Sequence, residues 1–311
     1  MEEPLISVII TTYKRSNKIE RAIQSVLHQT YKNIEVIIVD DNANEIEERK
    51  KTKKIVEKYP EIKYIQNSKN LGGALARNVG IDNANGEFIA FLDDDDEYKE
   101  DKLEKQFKCY EKNKENNVGM IYCYCYIKDE NNKIIGTNGS DAEGNVLYEH
   151  MKGGIAGTSL WFCPKEVLLK IGKFEDTPSK QDFIVTLKML ANGYNIYRVP
   201  ECLVYYYEHG GNGISGTGKR NIIGLLKYRE WCRKYYDKIT KQQIRNVEYN
   251  FSKQLLTLYI FNNMRKEAKQ ELKNMIKLKP FYKKTIIGSL KYLFPKQYLN
   301  ELERKQNGKN K

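Results

Sequence analysis

Four consecutive carboxylates, Asp93, Asp94, Asp95 and Asp96, follow the apolar run of residues 87–92. Like charges at such spacing repel and raise one another's pKa, so the run is tolerable where a cation takes up the charge. Oxygen-only clusters suit hard divalent ions such as Mg2+ or Mn2+. A plainer reading is a solvated acidic turn that caps the helix beginning near Lys102, since Asp is a good N-cap. The residues gathered around the run have to decide between the two.

The elements that would gather them read as hydrophobic runs. Residues 6–12 form a short β-branched run typical of a buried strand. Ile19, Ala22, Ile23, Val26 and Leu27 then repeat at helical spacing, with Ser16 or Asn17 as candidate caps. A second strand at 34–39 is closed by Asp40-Asp41-Asn42. A charged helix from about 45 to 59, a strand at 62–65, a helix at 71–83 and the strand before the Asp run complete the pattern. Strand alternating with helix predicts a doubly wound, mostly parallel sheet flanked by helices. Such a sheet binds ligands beyond the carboxyl ends of its strands. Thr11, Tyr13 and Arg15 follow the first strand, Asp40 and Asp41 the second, and Asp93–Asp96 the fourth, so all are expected to line one crevice.

Later segments are less regular. A strand at 118–126 is expected to pair with Lys133-Ile134-Ile135 through the turn at 129–132, and short helices are expected at 164–171 and 182–191. After a Gly-rich loop at 210–216 the chain reads as basic helices. This places a catalytic domain at 1–218 and a helical extension at 219–311, with a disordered tail over the last few residues.

Composition narrows the class. The chain has 311 residues, 40% hydrophobic and 11% aromatic, which fits a globular protein. No run approaches the roughly 20 apolar residues of a membrane span, and the start is acidic, so a cytoplasmic location is expected. The six cysteines lack metal-ligand spacing and read as buried thiols. The net charge of +12 is uneven: residues 219–311 hold 24 Lys and Arg against 7 Asp and Glu. A basic appendage on a slightly acidic body suggests docking to an anionic surface, membrane or nucleic acid.

Five blocks in this order resemble glycosyltransferase family 2, a GT-A-fold group of inverting sugar transferases. They are Ser7-Val8-Ile9-Ile10-Thr11-Thr12-Tyr13, Val39-Asp40-Asp41-Asn42, Asn70-Leu71-Gly72 with Ala76-Arg77-Asn78-Val79-Gly80-Ile81, the Phe91-Leu92 and Asp93–Asp96 run, and Gly172-Lys173-Phe174-Glu175-Asp176 followed by Gln181-Asp182-Phe183. The likeness spans about residues 4–215. It implies a GT-A body, a Rossmann-like α/β fold with a mostly parallel central sheet, here followed by a C-terminal α-helical extension.

The resemblance also implies roles. Asp95 would be the main ligand of Mn2+ or Mg2+, with Asp93 and Asp94 on metal-bound water, ribose or donor sugar; the four-Asp run leaves that register open by one residue. Thr11 and Tyr13 would contact the nucleobase, and Asp41 would accept from the imide N–H of uracil or thymine, favouring UDP- or dTDP-sugars. Arg77 would lie near the diphosphate or, equally, hold its helix by a salt bridge to Asp93. Arg15 is a diphosphate candidate or a solvated surface residue. Asp182 would be the base that takes the proton of the acceptor hydroxyl; Gln181 departs from the family pattern, where an acid is usual. His209 would approach the metal or diphosphate as the Gly-rich loop closes as a lid. Trp161 is either an acceptor-stacking face or core.

The expected function is therefore transfer of a sugar to a glycan or lipid-linked acceptor in polysaccharide, capsule or other glycoconjugate biosynthesis. The stretch 281–294 pairs apolar and basic positions as an interfacial helix does, so residues 219–311 are expected to meet an anionic membrane surface at its inner face or to form a homodimer. Three rivals stand beside this. A nucleotidyltransferase would need a phosphate-cradling loop after the first strand, and residues 11–15 offer none. A nucleic-acid-binding protein would need a recognition helix, zinc site or aromatic platform, and none is evident, so no nucleic-acid partner is expected. A nucleotide-sugar-binding scaffold without activity is opposed by the presence of Asp95 and Asp182.

Overall fold

A computed structural model describes residues 3–44, 46–208 and 217–295. The chain divides into two compact units, the first running to Asp176 and resuming at Gln181, the second made of Thr177–Lys180 and the helices from Lys219 onward.

Unit 1 begins with β1 (Ile6–Thr12), α1 (Ser16–Leu27), β2 (Ile34–Asp40), α2 (Glu47–Val56), β3 (Lys63–Gln66), α3 (Gly73–Asn83) and β4 (Phe88–Asp93). Strands β3, β2, β1 and β4 lie side by side in parallel. Their continuous apolar character has a simple cause: Ile6, Val8, Ile10, Ile37, Ile38, Ile89 and Phe91 are fully buried, as parallel strands covered on both faces require. Register sets the site, because Thr11 faces Asp93 and Thr12 faces Asp40 at the carboxyl ends.

Beyond β4 the chain continues through β5 (Glu97–Tyr98), α4 (Lys102–Asn113), β6 (Val118–Lys128), β7 (Ile134–Asn138), α5 (Leu147–Lys152), β8 (Trp161–Pro164), α6 (Lys165–Lys170), α7 (Gln181–Ala191) and β9 (Asn195–Tyr207). The sheet order is β3-β2-β1-β4-β8-β6-β9-β5, with β7 on β6. Here β8 runs antiparallel to β4 and to β6, while β6 and β9 are parallel. The parallel sheet expected from the first half thus becomes mixed in the second, where short β8 offers no periodic signal. The expected hairpin does form: β6 pairs with β7 around the turn at Asp129–Asn132.

Two local expectations change. No side chain caps α1: Arg15 is its N-cap residue, and the Ser16 hydroxyl donates to Glu48 at 2.7 Å. The Asp run does not cap α4 either, because β5 intervenes and Asp101 holds the N-cap position. Of the six thiols, Cys109 and Cys202 are half-buried and the others buried.

Gly80 explains part of the third sequence block. A Cβ there would come within 2.4 Å of the Ile9 side chain, so α3 packs on β1 at a distance only glycine allows. Gly72 has a different reason, a φ of +84° at the entry to α3.

Unit 2 contains α8 (Lys219–Arg233), α9 (Lys241–Phe261), α10 (Arg265–Leu278) and α11 (Lys283–Leu293). Thr240 and Gln243 form a reciprocal capping box that starts α9. The Arg229 guanidinium donates to Glu248 and, at 2.9 Å, to Glu271, and Arg233 and Tyr236 also donate to Glu248. Burial would raise the Glu248 pKa, but the bonds from Arg233 and Arg229 win and hold it down at about 2. Helix α11 turns Thr285 and Gly288 inward and leaves Ile286, Leu290, Leu293 and Phe294 exposed. Among the described residues no helix is long and apolar enough to cross a membrane.

Candidate active site

The acidic run sits where β4 ends. An Asp96 N–H donates to the Asp93 carbonyl at 3.0 Å, folding the run into a tight turn rather than a solvated tail. Asp94 is 3% and Asp96 1% exposed. Oxygens of Asp93, Asp95 and Asp96 lie within 4.8 Å of one another. Asp94 stands outside this trio, against Arg15. Ser159, in a short turn just before β8, links the set: its hydroxyl accepts from the Asp93 N–H at 3.2 Å and donates to Asp96 at 2.6 Å.

Electrostatics show what the cluster lacks. Burial, then the charge of Asp95, pushes the Asp94 carboxyl up to about 7. Burial and the fields of Asp93 and Asp95 push Asp96 well above the carboxylate range. Asp94 Oδ2 and Asp96 Oδ1 are buried with no hydrogen-bond partner among the described residues. A hard divalent ion held by Asp93, Asp95 and Asp96 fits this donor set: it would satisfy an orphaned oxygen and relieve the mutual repulsion.

Three arginines surround the turn. Arg15 Nη1 bonds Asp95 and reaches Asp94 at 3.2 Å, so it is paired rather than solvated. Arg77 bonds Asp93, which is the salt bridge weighed from the sequence. Arg21 donates to the Asp95 carbonyl at 2.6 Å while its guanidinium stacks 3.5 Å above the Tyr207 ring. Tyr206 faces the same acids, and burial together with their charge pushes its phenol far up.

The remaining expected residues fall around this core. Thr11 lies beside Asp93 in register. Tyr13 is 41% exposed at the strand end, its ring 5.1 Å from Lys14 Nζ. Lys14 itself adopts a positive φ of 55°, and its N–H donates to Asn42 Oδ1 at 2.8 Å. Asp41 is buried and already well used: it accepts from Asn67 Nδ2 at 2.8 Å, Leu71 N–H at 2.9 Å and Gly72 N–H at 2.8 Å. That grip pins the entry to α3, and the unusual Gly72 backbone is what turns its N–H onto Asp41.

Asp182 is the second residue of α7 and half-buried. Its neighbour Gln181 reaches toward α3: a Cβ on Gly73 would lie 3.2 Å from Arg77 Nη1 and 3.5 Å from Gln181 Nε2. The start of α7 therefore lies near Gly73 and Arg77, whose guanidinium bonds Asp93. Buried His150 of α5 bonds the Phe183 carbonyl at 2.8 Å, and Gly154 leaves room for the Phe183 ring. His209 lies outside the described residues, as do the Gly-rich loop and the tail. Trp161 is fully buried, stacked on Phe174 and edge-on to Phe91, so it is core and cannot stack on a sugar.

The pattern described as "Glycosyl transferase family 2" matches residues 7–168. An uncharacterized glycosyltransferase of Haemophilus influenzae is 30% identical over 303 residues, covering 95% of this chain and 98% of that protein. The chain belongs to glycosyltransferase family 2. A second relative of this kind, the putative teichuronic acid biosynthesis glycosyltransferase TuaG of Bacillus subtilis, is 28% identical over 76% of this chain and 92% of its own length. Among solved structures, S. aureus TarS 1-349 in complex with UDP-GlcNAc superposes with a TM-score of 0.58 at 17% identity, covering 88% of this chain and 90% of that one. The family's GT-A fold is thereby shared.

Sequence reasoning placed Asp96 in the acidic cluster with the register of its ligands left open, and it missed Ser159, Tyr206 and Arg21, which arrive from the turn before β8, β9 and α1 and which no spacing rule connects to the run.

Proposed function

We propose that this chain is a metal-dependent, inverting glycosyltransferase that moves a sugar from a UDP- or dTDP-linked donor to a hydroxyl of a glycan or lipid-linked acceptor in cell-surface polysaccharide assembly. The observation that carries the reading is the trio Asp93, Asp95 and Asp96, crowded at a strand end with an orphaned carboxylate oxygen. Family membership supports the reaction class, the structurally similar TarS in its complexes with UDP-GlcNAc and UDP supports the donor, and the relative TuaG, a putative teichuronic acid biosynthesis glycosyltransferase, supports the pathway.

In this reading Asp93, Asp95 and Asp96 hold Mn2+ or Mg2+. When bound, the ion supplies Lewis-acid neutralisation of the departing diphosphate. Arg15 and Arg77 stand beside those acids and add positive charge toward the diphosphate. Tyr13 offers a ring face and Thr11 a hydroxyl to the base, while Asp41 shapes the loop beneath it and keeps one oxygen with a single donor for the imide N–H. Asp182 accepts the acceptor hydroxyl proton as that oxygen bonds the anomeric carbon and the bond to the diphosphate oxygen breaks. One displacement inverts configuration.

Thermal shift tests the donor site. UDP with Mn2+ is expected to raise the melting midpoint, UDP alone to raise it little, and Asp95→Asn to remove the metal-dependent part. Equal stabilisation with and without Mn2+ in both proteins would refute metal dependence.

A further inference from the structure

Buried polar groups that the proposed mechanism does not use converge on one short turn. Residues Thr158–Leu160 form a single tight helical turn just before β8, and all three are buried. Helix α4 braces its backbone from behind. Gln106 Nε2 donates to the Leu160 carbonyl at 2.8 Å, and Lys102 Nζ donates to Gln106 Oε1 at 2.6 Å and to the Trp161 carbonyl at 3.4 Å. Lys102 and Gln106 are fully buried, and the Lys102 ammonium lies 4.0 Å from the centre of the Tyr98 ring. A buried ammonium is costly unless acceptors hold it, so these bonds fix Lys102 and the turn together.

On its other side the turn carries Ser159, which is 4% exposed. A hydroxyl has a proton to give and lone pairs to accept with. Here the proton goes to Asp96 Oδ2 at 2.6 Å, and the oxygen accepts from the Asp93 N–H at 3.2 Å. One side chain thus joins the first and last residues of the acidic turn. The Tyr207 N–H also bonds the Asp96 carboxylate. With Oδ2 engaged by Ser159, Oδ1 is the Asp96 oxygen without a partner among the described residues.

This matters for a cation because the terminal torsion of an aspartate is broad, so the carboxylate turns easily unless something holds it. A site that must order its own ligands loses affinity, and groups that hydrogen-bond a ligating carboxylate prevent that loss. Asp96 belongs to the trio whose oxygens lie within 4.8 Å of one another.

We propose that Ser159 is a positioning residue for the divalent-ion site: braced through its turn by Gln106 and Lys102, its hydroxyl fixes Asp96 against Asp93 so that a set carboxylate oxygen faces the ion. This rests on the metal reading above, and its test separates the two.

The experiment titrates Mn2+ into the full chain saturated with UDP and follows the free ion by electron paramagnetic resonance. The wild type is expected to bind a single Mn2+ per chain. Ser159→Ala should weaken that binding about tenfold or more, as loss of a group that orients a metal ligand does. Ser159→Thr keeps the hydroxyl and should weaken it less than about threefold. UDP affinity in EDTA should change less than about twofold in both variants, since the hydroxyl acts on the ion's ligand rather than on the nucleotide. If Ser159→Ala does not fold, Ser159→Cys, which puts a weak donor in a similar space, is expected to show the loss instead. Failure of the wild type to bind Mn2+ would overturn the metal reading and this inference with it. Binding by the wild type and equally by Ser159→Ala would overturn the inference alone. Equal losses in the Ala and Thr variants, or a matching loss of UDP affinity in EDTA, would assign Ser159 to packing and overturn it as well.

Discussion

An alcohol is a poor nucleophile near neutrality, and Asp182 is the carboxylate we assign to relieve it of its proton. Asp182→Asn keeps size and polarity but removes the basic oxygen. Transfer should fall by about 10^2–10^4-fold, while UDP affinity in Mn2+ changes less than twofold; single-turnover chemistry beside calorimetry separates the two. A parallel loss of donor affinity would move Asp182 from the proton to the nucleotide. At this scale the sequence was informative about residue type and poor on register. Four aspartates in a row left a cation site and a solvated turn both open, and only the backbone turn decides that Asp93, Asp95 and Asp96 converge while Asp94 faces Arg15. The Arg77–Asp93 pair was one of two readings the sequence left open, and the structure shows it. Tyr206 was not legible, since a tyrosine in an aromatic strand looks like packing until its neighbours are known.

Helix α7 depends on a buried imidazole. His150 is fully enclosed and bonds the Phe183 carbonyl, one residue past Asp182. Burial holds its pKa down at about 4, against an ordinary 6.5. Between those values the unfolded chain binds a proton that the folded chain refuses, so stability falls as pH drops through that window. The full effect is on the order of 3 kcal/mol. Urea midpoints taken from pH 7 to 4 should show this slope, and His150→Gln should flatten it. If the two slopes coincide, His150 is not the group responsible. Elements with strong periodicity were legible: β1, α1, β2 and α3 form close to where hydrophobic spacing places them. Short β8 and two-residue β5 were not: two residues carry no period, and β8, unlike the equally short β3, has no place in the strand–helix alternation that located the others. Lys102 shows the same limit. The sequence marks only a helix beginning near it, whereas Lys102 is buried, donating to Gln106 at 2.6 Å, and burial lowers its pKa to about 8.

Across the whole molecule the charge divides sharply, and unit 2 takes the positive share. If residues 219–311 meet an anionic membrane, the chain should sediment with vesicles containing acidic phospholipid and be released as salt rises from about 0.05 to 0.5 M. Vesicles of phosphatidylcholine alone should retain little, and equal retention on both would refute the electrostatic contact. Charge counting found this asymmetry directly. It could not find the Arg229, Glu248 and Glu271 network, in which oppositely charged residues far apart in sequence are consumed inside the unit. Nor could it show that α11 turns its smallest residues inward and its aliphatic ones out.

Arg15 leans on Asp95 and Asp94 as a built-in counterion. A divalent ion bound through the Asp95 oxygen that Arg15 holds would have to displace that guanidinium, so its entry would be an exchange rather than a simple filling of space. An ion alone leaves the displaced side chain facing water, whereas an ion arriving with a diphosphate gives it a fresh anion to hold. The protein would then discriminate against bare metal in solution and respond to the pair, making occupancy cooperative through a single swivelling side chain.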